Sequence, residues 1–192
     1  SMLSARKVLL PTQFGSVFIR WGPFTIDRTA THVNALCARF NSRWWCPGTL
    51  GVNCLLQGDW VWETNWVNPP FFLIGSFLHL LWQKKVPSTV MIVPLWSWDT
   101  WWPMLCPDGV HMISEVVDWV ELDSTSSWLF RPGLGRANER GVGKPGFRVF
   151  ALRLDFSVNA PVTLISRCTI RGGCRRCFFG KGFLQGLRYR SN

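Results

Sequence analysis

Apolar residues follow a strand-like pattern in several segments of the chain and a helical pattern in one. Short strands are predicted over 24–27 (FTID) and 64–68 (TNWVN). The Val- and Ile-rich run at 88–96 is typical of a buried, parallel strand. Between these strands, residues 72–85 predict a helix that ends in two lysines. The apolar positions at helical spacing are Ile74, Phe77, Leu78, Leu81 and Trp82.

Three further segments complete this outline. Residues 115–122 (EVVDWVEL) and 147–156 (FRVFALRLDF) alternate between apolar and polar positions, as strands do. Residues 32–40 (HVNALCARF) predict a short helix. Because predicted strands are separated by predicted helices, the chain is expected to form an α/β sheet covered on both faces.

Composition and charge indicate a folded chain that binds a polyanion. The 192 residues are 47% hydrophobic and 17% charged, with a net charge of +10. Such an excess favours a polyanion such as nucleic acid as the partner, and an anionic membrane surface is the less favoured alternative. Positive residues concentrate in a Gly- and Arg-rich loop at 131–146 and in residues 158–192, which are expected to form a mobile tail. No run reaches the ~18 apolar residues of a membrane span, so no membrane partner is expected.

Cysteine usage favours a reducing, intracellular location, which would be nuclear in a eukaryote. Seven cysteines form no framework spacing, and their odd number argues against a complete set of disulfides. Cys168, Cys174 and Cys177 resemble half of a zinc site. No fourth ligand is near them in the sequence, so no metal is expected.

The stretch Asn68-Pro69-Pro70-Phe71 suggests specific chemistry at the end of a strand. An exocyclic amine carries two N–H groups, and the Asn68 amide oxygen and a proline carbonyl could accept them. Successive prolines fix φ and keep their carbonyls out of ladder pairing. Phe71 could stack on a flipped-out base. The alternative is a strand-ending turn in which Asn68 bonds locally and Phe71 packs in the core.

These residues resemble the N-P-P-[YFW] motif of amino-group DNA methyltransferases, especially the N6-adenine type. The flanking stretches "RFNSRWW", "PGTLGV", "QGDW" and "LWSWDTWWPML" resemble the methyltransferase-like domain of DIRS-type, tyrosine-recombinase retrotransposon polyproteins. That domain is similar to phage-type DNA adenine methyltransferases. The resemblance covers 14–157, which leaves 1–13 as an N-terminal extension and 158–192 as a basic, cysteine-containing tail.

The resemblance implies a Rossmann-like fold that uses S-adenosylmethionine, with a compact, mostly parallel sheet and helices on both faces. Asn68, Pro69, Pro70 and Phe71 would form the catalytic loop, although Tyr is commoner than Phe at the fourth position. The glycines expected after the first strand are absent, because "DRTAT" stands there. The residues expected to contact the cofactor are Asp27, Asn34 and Asp59.

The implied partner is nucleic acid, expected to be DNA, together with other domains of a retroelement polyprotein. Asn68 and Asp27 are expected to open into one cleft at the carboxyl edge of the sheet. The residues expected to hold phosphates are Arg131, Arg136, Arg140, Lys144 and Arg148.

Two alternatives remain open at the level of sequence. The domain could be a catalytically degenerate module that binds nucleic acid without a cofactor. It could also be an RNase H-like nuclease, in which carboxylates hold two Mg²⁺ ions. The candidate acids for such a site are Asp27, Asp59, Glu63, Asp118 and Asp155.

Overall fold

The structure is a computed structural model that describes residues 8–122, 129–131 and 146–157. The tail at 158–192 and most of the basic loop lie outside these ranges. The described chain contains two α-helices and seven strands. In chain order they are β1 (Val8–Leu9), α1 (Pro11–Trp21), β2 (Ile26–Asp27), β3 (Asn65–Val67), α2 (Ile74–Lys84), β4 (Thr89–Pro94), β5 (Val116–Leu122), β6 (Phe130–Arg131) and β7 (Val149–Leu154).

A mixed five-stranded sheet organises the fold, with the spatial order β2-β3-β4-β7-β5. β2 pairs with β3, and β3 with β4, in parallel. β7 lies between β4 and β5 and is antiparallel to both. Four of the five strands therefore run in one direction, and the expected α/β class is confirmed. β1 and β6 form a separate antiparallel pair.

β4 is buried along its whole length, which explains why its sequence is continuously apolar instead of alternating. Val90 and Ile92 contribute to the apolar cluster that contains α1. Met91 and Val93 contribute to the cluster that contains α2. The sheet is thus covered on both faces, with one helix in each cluster.

The helix α1 was not predicted from the sequence, and it begins inside the segment interpreted as an N-terminal extension. Pro11 occupies its first turn, where a missing N–H costs nothing. Phe14 meets the buried Trp66 edge to face, with ring centres 4.8 Å apart. The helix ends where the amide of Gly22 bonds to the Phe18 carbonyl. It therefore covers one face of the sheet at β3.

The predicted helix at 32–40 is wrong, because this segment forms turns and bends. The Asp27 carboxylate accepts a hydrogen bond from the Leu36 amide at 3.2 Å. The side-chain oxygen of Asn34 accepts one from the Thr31 amide at 2.6 Å. Side chains that bond to nearby amides offer the backbone an alternative to helical pairing, and here that alternative wins.

Candidate functional site

The N-P-P-F loop leaves the sheet beside the end of the neighbouring strand β2. Asp27, the last residue of β2, is paired in register with Trp66, and Asn68 follows β3 directly. The Thr29 hydroxyl joins the two loops: it accepts the Asn68 amide at 3.0 Å and donates to the Asn68 carbonyl at 3.0 Å. The carboxyl ends of the two parallel strands therefore lie side by side, where α/β proteins commonly bind ligands.

One backbone carbonyl of the loop has no hydrogen-bond partner among the described residues. The Pro70 carbonyl accepts the Leu73 amide at 2.8 Å as the chain enters the 3₁₀ turn Phe71–Leu73. The Asn68 carbonyl is bonded to Thr29. The Pro69 carbonyl accepts no hydrogen bond from any residue that the structure describes. It is the acceptor that two successive prolines leave outside the ladder.

Phe71 belongs to an aromatic cluster that continues to the surface. Its ring meets Trp96 at 5.2 Å, Phe147 at 5.9 Å and Phe130 at 6.2 Å between centres, in each case edge to face. Trp96 in turn stacks with Trp98, which is 70% exposed. Phe71 is half-buried within this cluster, so packing accounts for much of its role. Trp98 offers the larger open aromatic surface.

The three residues expected to contact a cofactor are engaged within the protein. Asp27 is 3% exposed, and its two carboxylate oxygens accept the amides of Thr29 and Leu36. The Asn34 side-chain oxygen is bonded to Thr31. Asp59 forms an ion pair with Arg28 at 2.8 Å. These side chains shape the loops after β2 and before β3.

A cavity of about 500 Å³ lies beside the N-P-P-F loop, within the size range of small-molecule sites. Pro70 and Phe72 contribute to it from the β3 side. Two arginines and no acidic residue line it within the described ranges. Its lining residues are Arg28, Thr29, Ser42, Arg43, Trp44, Val52, Asn53, Cys54, Leu55, Pro70, Phe72, Leu73 and Phe77.

Arg28 is the most unusual residue of this cavity, because its guanidinium is buried. Nε donates to Asn65 at 2.7 Å, and Nη1 donates to Asn41 and Asp59 at 2.8 Å each. Cζ lies 4.4 Å from the centre of the Trp60 ring. The sequence analysis noted only that "DRTAT" lacks the expected glycines, and it did not consider the arginine in this stretch. The signal that could have identified it is a cation directly after a strand-end acid.

The predicted phosphate-binding residues are described only in part. Arg148 makes a two-point ion pair with Glu121, with both contacts at 2.6 Å, so its charge is already partnered. Of Arg131 the structure describes the backbone alone, in β6. The other three lie outside the described residues: Arg136, Arg140 and Lys144.

The acids considered for a nuclease are dispersed. Within the described ranges, no three His, Cys, Asp or Glu side chains come close enough together to hold a metal ion. Glu63 pairs with Arg39 at 2.7 Å, and Asp118 pairs with Arg20 at 3.0 Å. These carboxylates serve separate ion pairs instead of a shared site.

Two cysteines of the described chain, Cys54 and Cys37, have raised thiol pKa values. Burial raises the pKa of Cys54, which lines the cavity, to about 12. Burial, and then the Asp27 carboxylate, raise the pKa of Cys37 to about 12 as well. Both side chains therefore keep their protons at neutral pH and lack the thiolate needed for nucleophilic chemistry.

Comparison with known proteins adds no relative to this picture. No protein-family model matches the chain, and a search of curated proteins finds no significant match. None of the helices in the described ranges is long and apolar enough to cross a membrane. The site's geometry and the sequence motif are therefore the observations from which a function can be argued.

Proposed function

We propose that the chain is a Rossmann-like, S-adenosylmethionine-dependent methyltransferase domain of retroelement origin. It would methylate the exocyclic amino group of a flipped-out base, the N6 of adenine in DNA. The observation that carries this proposal is the N-P-P-F loop, which leaves β3 at the carboxyl edge of the sheet, next to the end of β2 and beside a cavity of about 500 Å³. Four strands running in one direction support the finer fold.

On the base side, the Asn68 amide oxygen and the Pro69 carbonyl would accept the two N–H groups of the amine. This arrangement draws the nitrogen lone pair out of the ring and aims it at the methyl group. As the new N–C bond forms and the bond between the methyl group and the donor's sulfur breaks, S-adenosylhomocysteine would be the leaving group, and the two oxygens would stabilise the positive charge that develops on nitrogen. The proton then leaves to solvent. Alignment of this kind can contribute about 7–11 kcal/mol.

On the cofactor side, the cavity offers apolar and aromatic surface that suits an adenine ring. Its wall includes the aromatic residues Trp44, Phe72 and Phe77. Bound S-adenosylmethionine would supply the methyl group as an already activated electrophile. Asp27 would act indirectly, because its carboxylate fixes the loop that carries Arg28 and Thr29.

Two observations favour the second candidate, a degenerate nucleic-acid-binding module. Asp27 stands where the resemblance expects a cofactor ligand, but both of its oxygens are bonded to backbone amides. The cavity also lacks an acidic residue within the described ranges to balance a sulfonium or an ammonium group. A domain that lost cofactor binding would keep the basic charge and bind nucleic acid in a salt-dependent manner.

Calorimetric titration of S-adenosylmethionine and S-adenosylhomocysteine into the folded chain separates the two candidates. The proposal predicts one site per chain, retained in Asn68→Ala, which affects the base side only. Gln83→Ala, which removes an exposed amide near the far end of α2, is the matched control. No binding at millimolar ligand in a folded sample would contradict the proposal and leave the nucleic-acid-binding module.

A further inference from the structure

A hydrogen-bonded loop between β2 and β3 displays an arginine and a tryptophan at the surface. Ser42 and Val52 close the base of this loop through an isolated parallel bridge. The Ser42 hydroxyl also donates to the Trp44 carbonyl at 2.6 Å. Trp44 is nevertheless 62% exposed, and Arg43 beside it is exposed as well. Because these bonds hold the backbone, less conformational freedom is lost when the two side chains bind a partner.

Arg43 and Trp44 lie at the rim of the cavity beside the N-P-P-F loop. Both residues line the cavity, together with the exposed Phe72, which directly follows the motif. Phe77 and Cys54 also line the cavity, but they are buried and therefore belong to its inner wall. The rim thus combines two exposed aromatic residues with one exposed cation, next to the loop that would hold the target base.

The charge of Arg43 is not balanced by any carboxylate in the described ranges. Residues 28–58 contain three arginines and no Asp or Glu. Arg28 and Arg39 each pair with a carboxylate from the segment that follows. Arg43 forms no ion pair with a described residue, and its Cζ instead lies 5.1 Å from the centre of the Trp44 ring. An anionic group on a ligand is therefore the expected partner of this guanidinium.

An exposed aromatic ring beside an arginine is a combination that binds single-stranded nucleic acid. The ring stacks on a base, and the guanidinium binds a phosphate. A duplex keeps the faces of its bases covered by stacking, so an unpaired nucleotide is the form that offers both groups. Recognition of an anionic membrane normally uses a cluster of several lysines and arginines, whereas Arg43 is the one exposed cation among the described residues that line the cavity.

We propose that Arg43 and Trp44 bind one unpaired nucleotide of a nucleic-acid strand, with its base stacked on the indole and its phosphate bound to the guanidinium. Phe72 adds aromatic surface at the same rim. The preferred partner is therefore a single-stranded segment in place of an intact duplex. This inference goes beyond the proposed function, because it requires neither S-adenosylmethionine nor methyl transfer. A chain that binds single strands in this way but does not bind the cofactor would retain the inference and contradict the proposed function.

Fluorescence anisotropy without cofactor tests the stacking contact. The three labelled ligands are a short oligothymidylate, an abasic strand of the same length and a duplex of the same length. Trp44→Ala should weaken binding of oligothymidylate about 5- to 100-fold and change binding of the other two less than about twofold, because neither offers an unstacked base. Trp44→Phe keeps a ring and should recover most of the affinity.

Trp62→Ala is the matched control for stacking, because it removes an exposed tryptophan that does not line the cavity. It should leave the binding of all three ligands unchanged. An undiminished affinity of Trp44→Ala for oligothymidylate, or an equal loss for all three ligands, would overturn the inference. Vesicles that contain phosphatidylserine provide a further comparison. Binding to these vesicles that depends on Trp44, without such dependence for oligothymidylate, would overturn the inference in favour of a membrane surface.

The salt dependence of oligothymidylate binding tests the phosphate contact. Arg43→Gln should reduce the slope of log affinity against log salt concentration by about 0.7, the value for one contact with a single strand. Lys85→Gln removes the same charge at the C-terminal end of α2, where the lysine lies near the Trp82 ring, and should keep the slope. An unchanged slope in a folded Arg43→Gln protein would overturn the inference.

Discussion

Two loops leave the same edge of the sheet, and they differ in whether their polar groups are hydrogen-bonded within the protein. In the loop after β2, the Asp27 carboxylate is buried and bonded to two amides of its own loop. In the loop after β3, the two prolines remove N–H donors, and the carbonyl of the buried Pro69 accepts no hydrogen bond from a described residue. An acid at a strand end can thus accept hydrogen bonds from nearby backbone amides. A loop without N–H donors, in contrast, tends to leave carbonyl acceptors without partners.

The difference between the two loops also determines which of their residues line the candidate site. From the β2 side, Arg28 and Thr29 face the cavity in place of Asp27. From the β3 side, Pro70 and Phe72 contribute to the wall. The Thr29 hydroxyl connects the two loops through the backbone of Asn68. Variants that disturb one loop and spare the other can therefore test the contrast.

The largest effect is expected from Asp27→Ala, which removes the carboxylate that holds the loop after β2. Two charge-assisted hydrogen bonds are lost and two amides lose their acceptor, so the free energy of unfolding should fall by about 4 kcal/mol. Urea denaturation measures this change. Asp99→Ala, which removes an exposed contact with Thr100, should cost under about 0.5 kcal/mol. Equal stability of the two variants would show that Asp27 does not organise its loop.

The next effect concerns the aromatic cluster beside the N-P-P-F loop. Phe71→Ala should lower the free energy of unfolding by about 3 kcal/mol, because the ring packs against three aromatic neighbours. Trp98→Ala removes a mostly exposed ring and should change stability by less than about 0.5 kcal/mol. Thermal and urea denaturation of both variants check this contrast. A stable Phe71→Ala protein would argue that the ring serves the ligand instead of the core.

A smaller effect is expected where the two loops are joined. Thr29→Val keeps the shape but removes the hydroxyl that bonds both backbone groups of Asn68, so it should cost about 1–2 kcal/mol of stability. Thr29→Ser retains the hydroxyl and should lie within about 0.5 kcal/mol of wild type. Urea denaturation of the pair provides the comparison. Indistinguishable variants would mean that the loops are not coupled through this hydroxyl.

The smallest effect is electrostatic and concerns Cys37. Burial and the Asp27 carboxylate raise the pKa of this thiol to about 12, so the thiolate fraction at pH 9 is small. Removing the negative charge in Asp27→Asn should lower that pKa and increase alkylation of Cys37 by iodoacetamide roughly two- to five-fold at pH 9. Peptide mass spectrometry measures the rate, with Cys46 as the internal control. An unchanged or slower rate at Cys37 would contradict the placement of the carboxylate beside it.

The central strand β4 and the helix α2 could be predicted because the burial of each follows one simple pattern along the sequence. β4 is buried on both faces and reads as a continuous apolar run. The buried face of α2 repeats at helical spacing through Ile74, Phe77, Leu78 and Leu81, as the sequence predicted, whereas Trp82 is 48% exposed and does not belong to it. β5 and β7 were also predicted as strands, although β7 does not alternate as expected, because Val149 to Leu152 are all buried. The α/β class followed from these elements, whereas the Rossmann-like topology remains a proposal.

What could not be predicted depends on contacts between distant residues or on competition within a loop. The apolar face of α1 is recognisable only against Trp66, which lies far away in the sequence. The segment at 32–40 has helical composition, but bonds from Asp27 and Asn34 hold it in turns. The burial of Arg28 depends on Asn41, Asn65 and Asp59 meeting around it, and no spacing rule indicates that arrangement.

The most direct test of the central claim is detection of the methylated base itself. The chain is incubated with S-adenosylmethionine and unmethylated DNA, and the digested nucleosides are quantified by mass spectrometry. The proposal predicts N6-methyladenine with the wild-type chain and with Gln83→Ala, and a loss of about 100-fold or more with Asn68→Ala. Absence of any methylated base from a wild-type sample that binds both S-adenosylhomocysteine and DNA would contradict it.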